Sequence, residues 1–142
     1  MRRKVAVSAC LLGRKCRYDG SDRYDRELAG YLEGCEVIPF CPEENVLGTP
    51  RETIDIVGGK VVGSKSGRDY TRAILEEARK FIDQNPKIDE VYSKSKSPSC
   101  ALCSARIYDS DGRLLNQEGT GVFLKELKKA YKDAKFEERS PK

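Results

Sequence analysis

Cys10, Cys16, Cys35, Cys41, Cys100 and Cys103 carry the widest chemical repertoire in this chain, and no histidine accompanies them. Without imidazole the usual general base near neutral pH is missing, as is the commonest zinc ligand other than thiolate. A metal centre here must be built on thiolates, with a carboxylate at most beside them. Proton transfer falls to Asp, Glu, Lys, Tyr, Ser or water. The spacings are C-x5-C at 10/16, C-x5-C at 35/41 and C-x2-C at 100/103. One CxxC is not the paired set of a zinc ribbon. No apolar run approaches a membrane span, and Val5 to Leu12 is too short for a signal peptide and lacks a cleavage site. The chain therefore reads as cytoplasmic. That compartment keeps thiols reduced, which favours metal binding or catalysis over disulfides.

These thiols are positioned by a βα alternation. Val5-Ala6-Val7 reads as a buried strand that ends on Ser8 and Ala9 and delivers Cys10, with Gly13 and Tyr18-Asp19-Gly20 as turns behind it. Ser21-Asp22 offers an N-cap for a helix over Arg23 to Glu33. Cys35 to Cys41 is a second strand, in which Pro39 argues against a fully paired central position. Asn45 to Arg51 reads as a loop. Thr53 to Val57 and Lys60 to Gly63, joined by Gly58-Gly59, form a β-hairpin. Gly67 to Asn85 is the clearest helix, followed by a strand at Glu90 to Ser93 and the polar loop Lys94 to Cys100. A turn at Asp109 to Gly112 and a last helix over Val122 to Ala134 complete the pattern. The charged residues 135–142 read as a frayed tail. A single α/β domain over residues 1–142, with a mainly parallel sheet flanked by helices plus the hairpin, is the expected fold.

In an open parallel sheet, ligands bind at the carboxyl ends of strands. Cys10, Cys41 and Cys100 each follow a strand and can meet at that edge. Cys35 begins its strand, which at about 3.3 Å per residue puts it roughly 20 Å from Cys41. Cys16 lies in a loop that either approaches the thiols or misses them, and Cys103 is close enough to Cys100 to be an alternative ligand. Thiolates without histidine fit iron–sulfur chemistry better than catalytic zinc. A cluster held by three thiolates leaves one iron open as a Lewis acid. A fourth thiol from Cys103 would instead close the site. The net charge of +4 is mild. It gathers at Arg2-Arg3-Lys4 and Lys125 to Lys135, with no basic and aromatic stripe to mark a nucleic-acid surface.

Ser8-Ala9-Cys10-Leu11-Leu12-Gly13 with Arg17-Tyr18-Asp19-Gly20, Cys41-Pro42-Glu43 with Pro50-Arg51, Lys96-Ser97-Pro98-Ser99-Cys100 and Gly119-x-Gly121-Val122 together resemble the thiouracil desulfurase family. The resemblance covers nearly the whole chain, with the motifs in the family's order. It implies a Rossmann-like α/β domain with a [4Fe-4S] cluster on Cys10, Cys41 and Cys100, whose open iron takes the sulfur of a thiolated base such as thiouracil. Glu43 and Ser97 match the acid and serine beside that iron, and Asp19 matches a further motif position. The family commonly has an apolar residue where Cys16 stands, and glycine where Ala101 follows the third cysteine. The implied reaction is hydrolytic, giving the oxo base and sulfide without net redox. Glu43 would handle a proton or water, and Ser97 would donate a hydrogen bond. The competing readings are a non-catalytic or redox-sensing module with a closed four-cysteine site, and a tRNA sulfur-handling protein.

Overall fold

A computed structural model describes residues 2–141. Four parallel strands form the main sheet: β1 (Lys4–Ser8), β2 (Glu36–Phe40), β5 (Glu90–Lys94) and β8 (Lys135–Arg139), in the order β2-β1-β5-β8. β1 alternates its side chains. Val5 and Val7 enter an apolar cluster with Leu11, Leu28 and Tyr92, while Ala6 joins the opposite one. Helix α1 (Arg26–Tyr31) covers the first face. α3 (Thr71–Gln84) and α4 (Val122–Ala130) cover the second, where Phe40, Phe81 and Phe123 pack ring on ring. Pro39 is tolerated because β2 is an edge strand. The expected hairpin is β3 (Ile54–Val57) and β4 (Lys60–Gly63), but it is half of a second sheet. β6 (Ala105–Tyr108) lies parallel to β3, and β7 (Leu114–Gly119) completes the order β4-β3-β6-β7.

Two stretches beside the site differ from the sequence reading, each for a local reason. α1 begins at Arg26 because Asp25, not Ser21 or Asp22, caps it by accepting the Leu28 N–H. Asp22 is occupied by the Tyr24 N–H, and the Arg23 and Asp25 N–H groups donate to the carbonyls of Cys10 and Leu11. The segment after Cys41 is not a loop from Asn45 but helix α2 (Pro42–Leu47), with Pro42 in its first turn beside Glu43 and Glu44. Proline at that position and early carboxylates suit a helix N-terminus.

The larger correction concerns residues 135–142. Lys142 lies outside the described residues, but Lys135–Arg139 is strand β8, paired with β5 from Glu90↔Lys135 to Lys94↔Arg139. Only Phe136 is apolar there, so periodicity misses it. Charged partners fix the strand instead. Arg139 grips Asp25 with Nε at 2.7 Å and Nη2 at 3.1 Å, and Glu138 accepts from Leu102 N, Cys103 N and Ser104 Oγ. The Arg139 hydrogen bond holds the Asp25 carboxyl below the usual carboxylate range. Its contribution is therefore complete above the unfolded aspartate value of about 3.9 and fades as pH falls through the depressed folded value. Arg139→Ala should cost about 3 kcal/mol at neutral pH, because it strands a buried carboxylate. In denaturant titrations the gap from the parent should shrink toward acid pH.

Candidate active site

The register levels the three strand ends, with Ser8 beside Phe40 and Val7 beside Tyr92. Each strand then delivers a cysteine by different local means. After β1 the chain makes a short 3₁₀ turn, Ala9–Leu12, that buries Cys10 and closes on Gly13 at φ 92°. After β2, Cys41 is the N-cap of α2. After β5 the loop reaches Cys100 through Lys96, which takes the left-handed conformation at φ 63° with its N–H on Ser104 Oγ. The Ser97 hydroxyl oxygen accepts from the Ser99 and Cys100 N–H groups. The start of α4 donates Val122 N–H to the Pro98 carbonyl and Leu124 N–H to the Ser99 carbonyl. Gly121 passes so close that a Cβ there would collide with the Ser99 carbonyl group, which explains the glycine in Gly119-x-Gly121-Val122.

A cavity of about 470 Å³ opens at this edge, lined by Cys10, Cys16, Glu43, Ser97 and Cys100 among others. Cys41 lies on an adjoining cleft, where its thiol donates to the Cys16 carbonyl at 3.7 Å. Burial pushes Cys10 up to about 11, with Cys41 adding to it and Lys94 and Arg17 opposing. Burial likewise holds Cys100 well above an ordinary thiol, reinforced by Glu43 and Cys41. The neighbouring Cys16 side chain lowers Cys41, with burial opposing. Among the described residues no three His, Cys, Asp or Glu side chains converge as a single metal ion requires. Cys10 and Cys100 line the cavity and Cys41 lies on the cleft beside it, so the three thiols are spread along one edge rather than gathered on a point. The all-thiol donor set is the soft one that iron–sulfur centres take. Binding would draw off the protons that burial retains.

Glu43 reaches the cavity from the first turn of α2. Its Oε2 accepts from Ser97 Oγ at 3.0 Å and from Ser99 Oγ at 2.6 Å. Ser97 therefore spends its proton on Glu43. Buried Arg51 stands with Nε 3.7 Å from Glu43 Oε1, and that Nε has no hydrogen-bond partner among the described residues. Arg17, Arg23, Lys94 and Lys96 also line the cavity and offset the charge that thiolates would bring. Asp19 is outside it, tying the Arg17 turn through the Ser21 N–H. Cys35 sits at the far start of β2, and exposed Cys103 directs its thiol to Glu138.

The family model for 2-thiouracil desulfurase matches residues 5–139. The chain belongs to the 2-thiouracil desulfurase family. Protein YbbK of Bacillus subtilis (strain 168), itself uncharacterized, is 33% identical, with 89% of this chain and 90% of YbbK aligned. The solved structure of the [4Fe-4S]-dependent thiouracil desulfidase TudS superposes with a TM-score of 0.77 at 30% identity. It covers 97% of this chain and 91% of that one. In this desulfurase-family chain, sequence reasoning had assigned no role to Ser99, Arg51 or Lys94. Ser99 and Arg51 stand inside the motifs, and Lys94 stands just before the third.

Proposed function

We propose that this chain is a [4Fe-4S]-dependent desulfidase for a small thiolated base, with Cys10, Cys41 and Cys100 as cluster ligands and Glu43 as the acid–base group. The observation that carries the reading is the delivery of three thiols from three adjacent parallel strands to one edge, beside a carboxylate held by two serines. The dependence of the similar TudS structure on a [4Fe-4S] cluster supports it. When bound, the cluster supplies a thiophilic Lewis acid that withdraws electrons from a thiocarbonyl carbon.

The protein residues supply the water chemistry. Arg51 Nε lies 3.7 Å from Glu43 Oε1, an ion-pair distance that orients the carboxylate toward the cavity. Glu43 accepts a proton from an attacking water as its oxygen adds to carbon, and that proton leaves with the sulfur. The carbon–sulfur bond breaks, and the products are the oxo base and hydrogen sulfide, with no change of oxidation state. Ser97 and Ser99 occupy Oε2, which leaves Oε1 to take the proton.

A closed four-cysteine site is disfavoured because Cys103 points to Glu138 and not into the cavity. A cavity of about 470 Å³ suits a small molecule. That disfavours a macromolecular tRNA substrate. No helix among the described residues is long and apolar enough to cross a membrane. Protein purified without exposure to air should contain about four irons and four labile sulfides per chain, with broad visible absorbance. One zinc and no labile sulfide in such protein would contradict the proposal.

A further inference from the structure

Cys16 has no part in the chemistry above, yet it is buried at the wall of the cavity. Its carbonyl oxygen accepts from the Cys41 thiol at 3.7 Å, which sets the two residues side by side. Both side chains pack in the same apolar cluster, with Cys41 the more exposed of the two. Cys35 is at the other end of β2, and Cys103 is turned to Glu138. A partly exposed thiol backed by a second thiol is the arrangement in which oxidation stops at a disulfide.

We propose that Cys16 is a resolving thiol that captures Cys41 in a disulfide when an oxidant strips the cluster, sparing that ligand from irreversible oxidation. The inference rests on Cys41 being a cluster ligand. With hydrogen peroxide as oxidant, the Cys41 thiolate attacks one peroxide oxygen. The O–O bond breaks, hydroxide leaves, and Cys41 becomes a sulfenic acid while the peroxide is reduced. The Cys16 sulfur then attacks the Cys41 sulfur. The S–O bond breaks, and the hydroxyl leaves as water with the Cys16 proton. A dithiol reductant reverses the disulfide and frees Cys41 for a new cluster.

The test starts from loaded protein. It is treated with hydrogen peroxide until the visible absorbance is gone, alkylated, digested and mapped by mass spectrometry. The expected main product is Cys16–Cys41. Dithiothreitol followed by iron and sulfide should then restore the cluster in the parent. Cys16→Ala, and Cys16→Val which keeps the buried volume filled, should recover several-fold less iron, with Cys41 as sulfinic or sulfonic acid. Parent protein in which Cys41 is overoxidised, or bonded to Cys10 or Cys100, would overturn the inference. So would equal recovery by both Cys16 variants. A Cys41→Ser variant that holds full iron would overturn the ligand reading instead, and the protective role with it.

Discussion

Serine at Cys10, Cys41 or Cys100 should each strip the protein of its cluster, whereas Cys35→Ser and Cys103→Ser should keep it. Disturbing even an outer contact of a metal site weakens binding roughly 10–100-fold, and removing a thiolate ligand should exceed that. Cys35 and Cys103 differ by position, one at the wrong end of β2 and the other aimed at Glu138. Iron and labile sulfide per chain, measured on anaerobically prepared variants, separate the groups. Retention of the cluster by Cys100→Ser together with its loss in Cys103→Ser would mean that the ligand is misassigned.

Glu43→Gln should hold a full cluster yet lose turnover of 2-thiouracil by roughly a hundredfold or more, the usual effect of removing a general acid–base group. The glutamine oxygen can still accept from Ser97 and Ser99, so the scaffold is kept while the ionisable group is removed. Ser97→Ala should have a milder effect, because Ser99 Oγ still donates to Oε2 and only one of the two hydrogen bonds to the carboxylate is lost. The assay is anaerobic loss of the thiocarbonyl absorbance, with iron measured on the same sample. Near-normal turnover with full iron would remove Glu43 from the mechanism. Loss of iron along with activity would make it a structural residue.

The strand-end thiols were legible because β1, β2 and β5 each centre on short apolar stretches, Val5-Ala6-Val7, Val37-Ile38 and Val91-Tyr92, and each stops just before a cysteine or its loop. Their convergence follows from parallel topology alone. The helix after Cys41 was obscured by Gly48 and Pro50 beyond it, although Pro42-Glu43-Glu44 is a sound helix start. β8 was not legible, because Lys-Phe-Glu-Glu-Arg has the composition of a solvated tail. Its strand character depends on Asp25 and the Cys103 loop, distant partners that no local pattern reports. The same holds for Arg51. Its place beside Glu43 is set by how the chain folds back after α2, not by spacing.

The central claim is that desulfuration depends on the cluster held by this chain. It is tested most directly by measuring uracil formed from 2-thiouracil, anaerobically, across samples loaded to graded iron content. The account predicts uracil and sulfide in equal amounts, at a rate per chain that rises in proportion to cluster occupancy and vanishes in cluster-free protein. Uracil formation that is indifferent to iron content, or none at full occupancy, would contradict it.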